Sequence, residues 1–396
     1  MNKKNILFVM SDLRCGGAEK SLISILQTID YDKYNVDIQL FKTEGLFLKQ
    51  VHEKANLLSP LDSYKYFDMP FVQALTKSFL KGRFDIVFNR LLFGYVFKTE
   101  KKPSRREQRC WKYVSRCIPK NNKKYDAAIG FLEKNPIYYC IEKIKAKKKI
   151  GFIHNDYDKL EMDKTIDKPY FKYLDAIVTD SEECKAVLVK NFPESQYKIK
   201  IVANIVSPTL INKLSNESIT DFPKKNTYNI ISIGRLDPQK GYDFAIDALK
   251  IVKEKGFSFH WTILGEGQLK QNMLNQIETN NLQNNVSFLG IKENHYPYVK
   301  LADLYMQTSR FEGKSIAIDE AKILNKSILV TNFSTVNDQI TNNKTGMIVD
   351  MNAEAIAKGI IELITNKDLS KKLTKNLSNE ILGTESEIEK IYDLIN

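Results

Sequence analysis

Two glutamates, Glu312 and Glu320, are separated by seven residues in the stretch Ser309–Glu320. A strand-like run, Ala302–Gln307, precedes them, and a helix-like run from Ile316 to Leu324 carries the second. The pattern predicts Glu312 in the turn above the strand's carboxyl end and Glu320 about one and a half turns into the helix. The helix N-terminus at Lys314, Ser315 and Ile316 offers unpaired N–H groups to an anion. Amides for an anion, flanked by two acceptors for hydroxyl groups, suit a ligand that is part phosphate and part sugar. Taken alone, two glutamates at this spacing are more often solvated surface charges. Gly313-Lys314-Ser315 also resembles the end of a P-loop, but Thr308 stands where that motif needs glycine, which excludes it.

A second set of groups sits in the loop Gly234-Arg235-Leu236-Asp237-Pro238-Gln239-Lys240-Gly241. Arg235 is a planar multiple donor and Lys240 a point charge, and a pyrophosphate leaving group needs fixed positive charge as its own develops. Their structural reading is a pair of solvated loop cations. Earlier in the chain, Gly16-Gly17 follows a short apolar run and lets backbone approach a ligand phosphate closely. His154 follows the run Lys149–Ile153, at a strand's carboxyl end, where binding sites of open α/β sheets collect. Ser181, after the next strand, reads as a helix N-cap.

These residues need elements to hold them. Lys4–Met10 reads as a buried strand and Ala18–Ile29 as a helix with Leu22, Ile25, Leu26 and Ile29 on one face. Further strand-like runs are Val36–Phe41, Ile86–Phe88, Ala127–Phe131, Lys149–Ile153, Ala176–Thr179 and Ile199–Val202, with helical stretches between most of them. Such alternation predicts α/β with a mostly parallel sheet. Ser207 to Asn226 is polar, holds Pro208 and Pro223, and reads as a linker. A second series begins at Asn229–Ile233 and continues through Trp261–Leu264, Val286–Leu289, the Leu304 strand and Ser327–Thr331. Ala353–Leu363, Leu369–Leu377 and Glu385–Ile395 read as closing helices. The fold class is α/β, two doubly wound Rossmann-like domains: 1–206, a linker at 207–227, and 228–396, with the last helix free to pack back on the first domain.

At 396 residues, 43% hydrophobic and 27% charged, the chain has material for two globular cores. Five cysteines, Cys15, Cys110, Cys117, Cys140 and Cys184, form no C-x-x-C pair, so neither a disulfide framework nor a zinc site is expected. The apolar run near Met1 is too short for a signal peptide or a membrane span. The protein is therefore expected to be cytoplasmic. Net charge is +12, and residues 1–200 hold 38 Lys and Arg against 25 Asp and Glu, so the excess lies in the first half. It peaks at 98–124. There Arg105, Arg109, Lys112 and Arg116 recur at helical spacing with Trp111, Val114 and Ile118 interleaved. That stretch reads either as a basic amphipathic surface for anionic lipid or as a solvated helix face. No nucleic-acid module is recognisable, and no nucleic-acid partner is expected.

Six features in order make a resemblance: Gly16-Gly17-Ala18-Glu19 after the first strand, Gly234-Arg235 with Lys240-Gly241, Leu264-Gly265-Glu266-Gly267, Phe288-Leu289-Gly290, Ala302-Asp303-Leu304, and the Glu312/Glu320 pair. The chain resembles the retaining glycosyltransferases of GT-B fold, and among them family 4. The resemblance implies that a nucleotide sugar, UDP-linked, lies in the cleft between the domains, mostly on the second. Arg235 and Lys240 would hold the diphosphate. Glu312 would bind donor-sugar hydroxyls, with the amides of Lys314, Ser315 and Ile316 near sugar and phosphate. Glu320 would hold the ribose, and Leu289, Gly290 and Ile291 would face the base. Gly234 and Gly265 belong to the nucleotide-sugar loops, and Gly16 and Gly17 would approach the phosphates from the first domain. His154 would contact donor or acceptor sugar. No metal or other cofactor is implied. The acceptor would be a glycan or lipid-linked glycan at the inner face of the cell membrane, bound through the basic first domain. The family often has Gly-Phe-Gly after the first glutamate, where this chain has Gly313-Lys314-Ser315; Lys314 adds a cation beside the diphosphate or changes the donor sugar. The competing readings are a non-catalytic partner protein of glycosyltransferase shape, and a nucleotide-sugar epimerase of similar build.

Overall fold

The computed structural model describes residues 3–14, 16–223 and 227–396. Cys15 lies outside the described residues. The chain divides into two compact units, Met1–Ala203 with Ser386–Asn396, and Asn204–Glu385.

The first unit is built on strands β1 (Lys4–Met10), β2 (Tyr34–Leu40), β3 (Asn56–Leu57), β4 (Lys124–Gly130), β5 (Lys145–Phe152), β6 (Ala176–Thr179) and β7 (Ile199–Ile201). All pair in parallel, in the order β3-β2-β1-β4-β5-β6-β7. Its helices are α1 (Gly17–Thr28), α2 (Lys65–Asp68), α3 (Phe71–Leu80), α4 (Phe84–Thr99), α5 (Pro103–Cys117), α6 (Asn135–Lys143), α7 (Lys164–Lys172) and α8 (Glu182–Asn191). Ser181 caps α8, its Oγ accepting from the Cys184 N–H. The closing helix of the chain, Glu387–Ile395, packs within this unit. Tyr392 stacks on Tyr34 at 5.1 Å and accepts the Asp30 N–H at 2.8 Å.

Two sequence expectations fail here. Ile86–Phe88 is not a strand; it lies within α4, where Phe84, Phe88, Leu91 and Tyr95 recur at helical rather than alternating spacing. The apolar side of α5 is not a lipid face. Trp111, Val114 and Ile118 are buried in the core of the unit, Trp111 donating its Nε1–H to Glu142. Arg109 pairs with Glu100, and Arg105 donates to the Glu161 carbonyl.

The second unit has α9 (Pro208–Leu214), β8 (Tyr228–Ile233), α10 (Tyr242–Glu254), β9 (Phe259–Leu264), α11 (Lys270–Thr279), β10 (Val286–Gly290), α12 (Tyr296–Leu301), β11 (Leu304–Gln307), α13 (Ile316–Ile323), β12 (Ser327–Thr331), β13 (Met347–Val349), α14 (Ala353–Thr365) and α15 (Lys367–Ser378). The strands are again all parallel, in the order β10-β9-β8-β11-β12-β13. One apolar core, including Trp261, Leu249 and Ile360, involves α10, α11 and α14; a second, including Ile318, Val330 and Tyr298, involves α9, α12 and α13. The stretch expected as a linker belongs to this unit. Ile211 and Phe222 of that stretch are buried in its second core, as is Val206, expected at the end of the first domain, because isolated apolar residues in a polar stretch can still pack on a core.

Both units are therefore doubly wound parallel sheets. In the second, strand order reverses between β8 and β11, and ligands of such sheets bind at the carboxyl ends of the strands flanking that point. The loops leaving those two strands are Gly234–Gly241 and Thr308–Ser315.

Candidate active site

Glu312 sits in the loop after β11 and is only 7% exposed. Its Oε1 accepts from Lys240 Nζ at 2.6 Å, from Ser309 Oγ at 2.6 Å and from Gln307 Nε2 at 3.1 Å. Its Oε2 accepts from Gln239 Nε2 at 3.3 Å. Gln307 is itself oriented, its Oε1 receiving the Tyr305 and Ser315 hydroxyls at 2.8 and 2.9 Å. The structure thus joins two residues that the sequence placed in separate motifs. Lys240 and Glu312 form a largely buried ion pair, the kind that persists only with further hydrogen bonds around it.

Close backbone contacts bring the two loops together. Gly241 adopts φ +60°, and a Cβ there would stand 2.2 Å from the Thr308 carbonyl oxygen, so only glycine fits. Thr308 Oγ1 donates to the Lys240 and Gly241 carbonyls. Arg310 reaches across from the second loop: its guanidinium grips Asp243 at 2.8 and 2.6 Å and donates to the Pro238 carbonyl. At the neighbouring strand ends, Gly265 approaches so closely that a Cβ would lie 1.9 Å from the Gly234 carbonyl oxygen. The Gly265 N–H donates to Gly290, and the Gly234 N–H to Leu264. Leu289 and Gly290 end β10, and Ile291 beyond them is exposed.

Other expected residues are placed differently. Arg235 is exposed and turned to Asp237 at 3.4 Å, apart from the Lys240–Glu312 pair. Glu320 is buried in α13, where it receives His295 Nε2 at 2.8 Å and the Tyr296 hydroxyl at 3.1 Å. The Ser315 amide, expected open to an anion, already donates to Gln339 Oε1 at 2.8 Å, and Gln339 returns a bond to the Ser315 carbonyl. The occupant of that amide is a side chain twenty-four positions away, which no local pattern announces. Ile316 opens α13 buried, while Lys314 is half-buried; burial pushes the Asp319 carboxyl up, and the Lys314 charge offsets part of that rise.

Gly16, Gly17 and His154 belong to the first unit. Gly16 is the extended residue before α1, and a Cβ on Gly17 would meet nothing within 4 Å. His154 packs on Phe131 and Phe152, and its Nε2 is buried without a hydrogen-bond partner. Burial pushes its imidazole down to about 4, so it is neutral near pH 7.

Sequence reading missed Gln307, Ser309, Gln239, His295, Tyr296 and Gln339. Gln307 and Ser309 flank a strand end and Gln239 adjoins Lys240, so adjacency was a usable signal. His295, Tyr296 and Gln339 carried none.

Residues 216–380 match the family model described as glycosyl transferases group 1. A glycosyltransferase of Methanocaldococcus jannaschii, MJ1059, is 34% identical over 171 residues, 42% of each chain. The poly(ribitol-phosphate) alpha-N-acetylglucosaminyltransferase of Staphylococcus aureus is 22% identical across all of this chain and 91% of its own length. The UDP-Gal:alpha-D-GlcNAc-diphosphoundecaprenol alpha-1,3-galactosyltransferase of Escherichia coli is 25% identical over 54% of this chain. The chain thus spans less than two thirds of some of these relatives, 42% of the first and 57% of the last. Among solved structures, Anabaena Alr3699/HepE in complex with UDP and glucose superposes with a TM-score of 0.70 at 16% identity, over 98% of both chains. That likeness shows a shared fold, the two-unit parallel-sheet α/β architecture of GT-B glycosyltransferase structures.

Proposed function

We propose that the protein is a retaining glycosyltransferase of family 4. It moves a hexose or N-acetylhexosamine from a UDP-sugar to a glycan or lipid-linked acceptor in surface-polysaccharide or glycolipid assembly. The observation that carries this reading is the Lys240–Glu312 pair at the carboxyl ends of β8 and β11. It supplies a cation for a diphosphate and a carboxylate for sugar hydroxyls at one point. The S. aureus and E. coli relatives, named for transfer to poly(ribitol-phosphate) and to a diphosphoundecaprenol-linked sugar, support the choice of acceptor class.

In this reading Lys240 turns from Glu312 to the donor diphosphate, and Arg235 swings in from solvent beside it. Glu312, still held by Ser309 and Gln307, accepts the donor-sugar hydroxyls. Glu320 takes the ribose hydroxyls. As the sugar C1–O bond to the diphosphate breaks, the acceptor oxygen bonds to C1 on the same face. Its proton passes to the departing phosphate oxygen. The reaction needs no resident metal, because Lys240 and Arg235 carry the developing charge. The protein works in the cytoplasm, peripherally at the inner face of the cell membrane.

A screen of nucleotide sugars, without acceptor, tests this. One UDP-sugar should raise the melting temperature and slowly release UDP. A folded protein that responds to no nucleotide would leave the non-catalytic partner as the surviving reading. Retention is read from the anomeric coupling of the product by NMR.

A further inference from the structure

The apolar surface left uncovered in the first unit is concentrated in one place. Of seventeen large hydrophobic residues exposed on the described chain, nine lie between residues 71 and 97. They form the outer side of the α3–α4 hairpin. Val72, Phe79 and Leu80 on α3 are 71%, 62% and 83% exposed, and Phe84, Phe88 and Tyr95 line one side of α4. The hairpin is properly built rather than frayed. Phe71 rests on Gly94, where a Cβ would stand 2.9 Å from its ring, and Phe79 meets Phe84 edge-to-face at 5.7 Å. An apolar patch of this size on a folded domain marks an interaction surface.

Charge selects the partner. Residues 71–102 carry seven Lys and Arg against Asp85 and Glu100. Both acids are already paired, Asp85 with Arg83 and Glu100 with Arg109. Lys77, Lys81, Lys98 and Lys101 have no ion pair among the described residues. The patch continues into a groove of about 910 Å³ between α4 and α5. Its cations are equally uncompensated. Arg90 is buried against Phe93 and donates to the Tyr66 and Met69 carbonyls, with no ion pair among the described residues, and Arg106 lies over Phe97 at 4.2 Å. The acids near the groove, Glu107 and Asp68, are taken by Lys134 and Lys42. A second copy of this surface would bring like charge against like charge. Apolar insertion combined with unmatched lysines and arginines fits an interface of acyl chains and anionic headgroups.

We propose that the α3–α4 hairpin, with the groove beside it, docks the protein on an anionic lipid bilayer. The inference rests on the peripheral location proposed above and replaces the 98–124 stretch as its surface.

Flotation of the full chain with vesicles tests it. The protein should float with vesicles containing phosphatidylglycerol and remain behind with phosphatidylcholine alone. Phe84→Asp with Phe88→Asp, both exposed, should lower partitioning at least tenfold. Lys98→Glu and Lys101→Glu should each lower it about fivefold. Calorimetric UDP binding, measured on the same samples, should stay unchanged. Loss of UDP binding in the wild type would count against the transfer reading alone. A wild type that ignores anionic vesicles, or aspartate variants that float as well as it does, would overturn the docking proposal. So would a wild-type dimer in lipid-free buffer that Phe88→Asp splits, since a second copy would then be the occupant.

Discussion

Glu312 gathers the hydrogen bonds of the candidate site in the second unit. Four donors converge on one buried carboxylate, so its geometry is set before a ligand arrives, as an electrostatic role in a reaction requires. Replacing it with Ala should lower kcat by roughly 10² or more while leaving the UDP dissociation constant within about threefold. Equal turnover in a steady-state assay would remove it from the mechanism. His154 makes a different prediction. Its folded pKa lies below the ordinary value, so protonation favours the unfolded chain. The stability contributed by the neutral ring is complete above about pH 6.5 and is lost as pH falls toward about 4, by up to about 3 kcal/mol. Urea melts across that range should show a shallower acid loss for His154→Gln than for the wild type. At this scale the sequence marked Glu312, Lys240 and His154 by type and position. It did not show that Lys240 and Glu312 touch, because seventy-two residues separate them and pairing follows from the β8–β11 register.

The elements explain where local reading succeeded. Short apolar runs became parallel strands in both units, ended by glycine at β8, β9 and β10, since a strand covered on both faces reads as apolar. It failed for Ile86–Phe88, a short apolar run that also fits a helix, and that α3 and α5 hold in helical form from either side. It failed again for α5, whose amphipathic pattern is real but whose apolar side faces the core. Trp111→Ala should therefore destabilise the first unit by about 3–5 kcal/mol, measured by chemical unfolding, whereas exposed Lys112→Ala should stay within about 0.5 kcal/mol. Equal effects would mean that the helix does not pack as described.

For the whole molecule, two parallel sheets of seven and six strands, sharing one order over their first six, set the fold class. The proposed reaction relies on side-chain cations, so exhaustive treatment with EDTA should leave UDP-sugar hydrolysis unchanged within about twofold; a large loss restored by a divalent ion would overturn the metal-free reading. Strand–glycine–helix alternation, the two glutamates and the basic first half are one-dimensional patterns, and the chain by itself determined the fold class and the chemistry to expect. The tertiary structure decided three things: which charges neutralise each other, which amphipathic side is covered, and which amides are already occupied. Each depends on contacts between residues far apart in sequence. Gln339 at Ser315, Trp111 in the core and Lys240 on Glu312 are therefore visible only once the sheets are assembled.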